Sequence, residues 1–125
     1  MPRINRSFIL LFIGFLVRGQ SILYQEGFQN QNGKGAVGSS TGVASIDLSN
    51  VNWSLDVSQC QLSATSDWLQ VVNNQLEARD IDGEGIWYSP LLNLQSSLVY
   101  GFSLQASELG TLESSDYLIT EYSLD

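Results

Sequence analysis

Residues 77–90 read EARDIDGEGIWYSP, and this stretch sets the β character of the chain. An acidic, glycine-bearing turn stands between two apolar, aromatic-rich segments. Asp80, Asp82 and Glu84 occupy alternate positions, and Gly83 and Gly85 let the backbone bend tightly around them. Upstream, residues 68–72 (WLQVV) and 75–78 (QLEA) flank Asn73-Asn74, a pair that tolerates positive φ and predicts a tight hairpin. Downstream, residues 86–94 are strand-like, with Pro90 marking an edge or a bulge.

Outward from this centre the period of two recurs. Trp53, Leu55 and Val57 fall on one face, with Ser54, Asp56 and Ser58 on the other. In residues 98–106, Leu98, Tyr100, Phe102, Leu104 and Ala106 alternate with smaller or polar neighbours, the cleanest half-buried strand pattern in the chain. Residues 117–124 (YLITEYSL) read as a last strand and residues 21–28 (SILYQEGF) as a first. Between them, residues 29–42 (QNQNGKGAVGSSTG) are rich in glycine and amides and read as a long surface loop. No window holds a helical period. The expectation is an all-β domain over residues 20–125, an antiparallel β-sandwich of jelly-roll type. About six or seven strands are few for a jelly roll, so the domain is read as incomplete at its C-terminal end, with a small complete sandwich as the alternative. Trp53 and Trp68 are expected in its core.

Residues 1–19 read differently. Arg3 and Arg6 precede the apolar run FILLFIGFLV at residues 8–17, and Val17 and Gly19 stand at −3 and −1 of a cut before Gln20. That is the layout of a signal-peptide helix, and the run is short for a membrane span. An uncleaved anchor or a buried helix is the competing reading. Cleavage removes Arg3, Arg6 and Arg18, leaving Lys34 and Arg79 against all 13 acids, a net charge of about −11. Such a surface repels phosphate backbones and anionic lipid, so neither nucleic acid nor membrane insertion after cleavage is expected.

Cys60 is the only cysteine, which forbids an intrachain disulfide; it reads as a small buried hydrophobe, with half of an intermolecular bridge as the alternative. The chain has no histidine. Triads, Cys-His dyads and the usual zinc sites are therefore closed to it. Carboxylate pairs drawn from Glu77, Glu84, Glu108 and Glu113 would be the remaining route to hydrolysis, of the kind that cleaves glycosides.

The acidic turn also fits a hard cation. Asp80, Asp82 and Glu84 match positions 1, 3 and 5 of a calcium loop, with Gly85 at the bend. Position 12 is Leu91 and no helix flanks the loop, so it is not an EF-hand; Glu26 and Asp116 would have to complete the set. Trp87 and Tyr88 point to opposite faces of their strand, and one of them is expected to present a ring beside the acidic turn, as sugar-binding sandwiches do. Asn52-Trp53-Ser54 is a glycosylation sequon that matters only in a eukaryotic secretory pathway.

Three segments taken together, LYQEGF at 23–28, DWLQVVNNQLEARDIDGEGIWYSPLLNL at 67–94 and SLQASELGTLESSDYLITEYSLD at 103–125, resemble a module of secreted multidomain Bacteroidetes proteins. That module belongs to the jelly-roll, lectin-like or cleaved-adhesin class. The resemblance implies an extracellular or cell-surface β-sandwich, carbohydrate-binding or adhesive, often with structural calcium and with further domains downstream. It brings no catalytic motif. The function expected is thus a secreted or cell-surface binding module, with a glycan or cell-surface polymer as partner. A ligand-free spacer, or the N-terminal fragment of an extracellular hydrolase, are the alternatives.

Overall fold

The computed structural model describes residues 21–107, 114 and 116–123; the signal-peptide reading of residues 1–19 falls outside them, as do Glu108 and Glu113. The chain divides into two units, Met1–Asn93 and Leu94–Asp125. Among the described residues the first holds six strands: β1 (Gly35–Ser39), β2 (Gly42–Ile46), β3 (Ser54–Asp56), β4 (Trp68–Val72), β5 (Gln75–Arg79) and β6 (Ile86–Tyr88). All pairings are antiparallel. One sheet runs β2-β1-β4-β5, and β3 with β6 makes a separate two-stranded ribbon.

The β4–β5 hairpin follows from its turn. Asn73 and Asn74 take φ of 51° and 59°, and two consecutive positive values make the turn whose twist matches the strands beside it. Asn74 then ties the hairpin to the chain before β1: its side chain accepts from Asn30 N at 3.1 Å, and its backbone N–H donates to Asn32 Oδ1 at 2.8 Å.

Residues directly opposite in an antiparallel pair share a face, so the register sorts the sheet. Ala36 stands opposite Leu69, Leu69 opposite Ala78, and Val71 opposite Leu76. Ala36, Leu69 and Val71 are buried, and Val57 and Leu62 pack over Ala36 and Leu69, flanked by Leu55, Cys60, Leu76 and Ile81. The other face carries Trp68 opposite Arg79, whose guanidinium lies 4.8 Å from the indole centre. Trp53 is buried as its strand pattern requires. Trp68 is not in the core: next to buried Leu69 it must point outward, and it is half-buried beneath Arg79 instead.

The largest departure from the sequence reading is at residues 29–42. Their second half is β1, an inner strand of the sheet, and not a surface loop. Gly35 and Gly38 are there because neighbouring backbone comes too close for a side chain. A methyl group at Gly38 would lie 2.4 Å from Ala64 O, and Gly38 N donates to Asp67 O at 2.8 Å. Residues 21–28 form no strand. Phe28, with φ of 56°, closes a bend held by Glu26 Oε1, which accepts from Phe28 N at 2.6 Å.

The loop that presses on Gly38 is fixed by one buried carboxylate. Asp67 Oδ2 accepts from Ser63 N (2.9 Å), Ala64 N (2.8 Å) and Ser63 Oγ (3.2 Å), and Oδ1 from Ser66 Oγ (2.9 Å). These donors, the Ser66 hydroxyl foremost, hold its pKa below the usual carboxylate value. A depressed folded pKa adds stability above the unfolded value of about 4, and that stability is lost as pH falls through the folded value. Asp67→Asn is therefore expected to lower Tm at neutral pH and to flatten the acid limb of a Tm-against-pH curve. A variant whose acid limb matches the parent's would deny Asp67 this role.

In the second unit, no strand forms among the described residues. Leu98, Val99, Phe102 and Leu104 are all more than half exposed, as are Tyr117, Leu118, Ile119 and Tyr122. The strands expected at 98–106 and 117–124 are absent from the described residues, 124 lying outside them. Alternation alone does not make a strand without a neighbouring edge to pair with and a layer to bury one face. The segment expected at 86–94 ends at Tyr88, ahead of Ser89-Pro90.

Candidate functional site

The acidic turn is built as a strut. Asp82 forms a bridge to Gln61, whose N–H donates to Asp82 O at 2.6 Å. Gly83, at φ 105°, carries the bend, and a methyl group there would lie 2.0 Å from Gln59 O. The bend is at Gly83 and not at Gly85, which instead lies against the side chains of Leu69 and Cys60. The turn's backbone is thus docked on residues 59–61, while Asp80, Asp82 and Glu84 are exposed. Asp80 lies 3.6 Å from Arg79 Nε. Glu26 Oε1 also accepts from Gln31 Nε2 at 3.0 Å, and Gln31 Oε1 accepts from Trp53 Nε1 at 2.6 Å. Asp116 belongs to the second unit. Among the described residues, no group of three or more acidic, cysteine or histidine side chains is placed to hold a metal ion.

Trp87 and Tyr88 do part to opposite sides of β6. Trp87 is half-buried and meets the ring of Phe28 edge-on at 6.1 Å, while Phe28 meets Trp53 at 5.9 Å. Its ring serves packing. Tyr88 is 45% exposed.

A second feature was not foreseen from the sequence. Val43 stands opposite Gly38, and Ile46 opposite Ala36, because a bulge inserts one extra residue into β2 between Val43 and Ser45. Both apolar side chains therefore turn to the core side of the sheet, yet they are 42% and 48% exposed. An open groove of about 460 Å³ lies against Val43, at the Gly42–Val43 end of β2. Val43 supplies its exposed apolar surface, backed by the buried Val57 and Leu62; Ser40, Ser58 and Ser63 line it with hydroxyl-bearing side chains, and among the described residues no charged side chain lines it.

Cys60 sits at the same groove. Burial, and then the negative charges of Asp56 and Glu84, push its thiol above the ordinary value. It stays protonated at neutral pH and is a poor nucleophile. The groove offers apolar contact and hydrogen bonds. No local signal in the sequence marks the groove, because it depends on the one-residue bulge in β2.

Comparison of the chain with protein-family models, with characterised proteins and with solved structures returns no match.

Proposed function

We propose that this chain is an exported, non-catalytic binding or adhesion module of the β-sandwich class, holding an uncharged or basic extracellular ligand in the groove beneath β2. One observation carries the reading: the exposed apolar side chain of Val43 faces an open groove rimmed by the hydroxyls of Ser40, Ser58 and Ser63. Concave surfaces that combine apolar contact with a few polar groups are where ligand groups seat. The composition supports it, because a chain with 13 acids and no histidine favours neutral or cationic partners over nucleic acid and lacks the usual proton-transfer side chain. A jelly-roll continuation, a cleaved leader, a cell-surface address and structural calcium at Asp80 and Asp82 belong to the same proposal. The leader is tested by the N-terminus of the exported chain, which is expected at Gln20; an intact Met1 in the membrane fraction would make it an anchor.

Tyr88 favours a second reading, in which its exposed ring stacks on a sugar. Glycan and peptide arrays probed with the chain, with Val43→Asp and with Tyr88→Ala separate the two. The groove reading expects Val43→Asp to weaken binding roughly tenfold or more, a loss of about 1.4 kcal/mol, with Tyr88→Ala unaffected. The reverse pattern would move the site to Tyr88. Silence on both arrays would favour a spacer.

A further inference from the structure

β2 is an outer strand of its sheet, all five of its residues are exposed, and no strand pairs with its far side among the described residues. Natural proteins blunt such edges with charge or proline. β2 reads Gly-Val-Ala-Ser-Ile and has neither. What it has is the bulge at Ala44, which shortens the regular run of outer backbone groups and disfavours endless edge-to-edge stacking. The same bulge turns Val43 over the groove.

We propose that β2 and the groove together receive an extended polypeptide segment of a partner protein, uncharged or basic. The segment adds as a strand outside β2 and seats one apolar side chain against Val43 at the mouth of the groove. This rests on the binding-module reading and names its ligand class. A row of backbone N–H and C=O groups at strand spacing is matched by another backbone, and a pocket for an alternate side chain adds selectivity. Five residues span roughly 17 Å, enough for a short peptide. Charge chooses among peptides. Against 13 acids the exported chain has two bases: Lys34 is held by Asp47 at 2.8 Å, and Arg79 is stacked on Trp68. Among the described residues an acidic segment finds no unengaged cation near the edge, and a second copy would bring the same negative charge. A basic segment is attracted.

The test uses the full chain and synthetic seven-residue peptides alternating lysine or threonine with a central valine, leucine or phenylalanine. Amide hydrogen exchange is read at residues 42–46. At least one peptide is expected to slow exchange there about tenfold. The effect should vanish when alternate peptide nitrogens are methylated, weaken about tenfold when glutamate replaces lysine, and be lost in Val43→Asp. Unchanged exchange at 42–46 with every peptide, or equal protection by the methylated ones, would overturn the proposal. Array binding that Val43→Asp removes, without protection at 42–46, would overturn it too while leaving the binding-module reading in place.

Discussion

Gly35→Ala is expected to abolish the cooperative unfolding transition of the β unit. Gly35 opens β1 with φ of 126°, a conformation that L side chains rarely adopt, and a methyl group there would lie 2.4 Å from Leu69 O and 2.6 Å from Gln70 Cα. Both obstacles are backbone atoms of the adjacent strand β4, so neither can rotate away. Backbone strain costs on the order of 1–3 kcal/mol, and forcing β1 from β4 adds about 1–3 kcal/mol or more. A unit this small has roughly 5 kcal/mol to lose. Gly33→Ala is the control. Its φ is 83°, but nothing lies within 4 Å of the added methyl, so it carries the strain without the clash and should still melt cooperatively. Equal melting of the two variants would mean that β1 does not lie against β4.

Leu69→Ala is expected to cost about 2–5 kcal/mol. Leu69 is 5% exposed and packs with Ala36, Val57 and Leu62. Truncating it leaves a cavity between the sheet and the covering Val57 and Leu62. Phe102→Ala makes the opposite case. Phe102 belongs to the most regular alternation in the chain but is 73% exposed, so its loss is expected to fall within about 0.5 kcal/mol of zero. Denaturant midpoints compare the two directly. A Phe102→Ala loss as large as that of Leu69→Ala would show that residues 98–106 bury a face after all.

The contrast shows which parts of the fold were legible. The β4–β5 hairpin could be read because its information is local: alternating apolar residues on either side of two asparagines that accept positive φ. Trp53 and Val57 were legible for the same reason. The inner strand β1 was not, because Gly35 and Gly38 are set by atoms of residues 62, 64, 69 and 70, far along the chain. A glycine kept for space looks the same in sequence as one kept for a turn. The segment 98–106 failed in the other direction, since its alternation states a preference that only a partner edge fulfils.

The candidate site divides similarly. The carboxylates of Asp80, Asp82 and Glu84 were visible as a cluster, but the sequence could not show that the turn's backbone is spent on Gln61 and Gln59. Nor could it place Glu26 in a hydrogen-bonded bend with Phe28 and Gln31. The groove depends on a one-residue bulge in β2, which shifts Val43 from one face to the other. Serine, valine and glycine in that strand give no local sign of it.

The position of β1 decides the groove, and interstrand nuclear Overhauser contacts test it most directly. Cross-peaks joining Ala36 to Leu69 and Val37 to Trp68, together with Gly38 to Val43, are the predicted result. Random-coil shifts across residues 35–39 with none of these contacts would contradict it, and the groove beneath β2 would go with them.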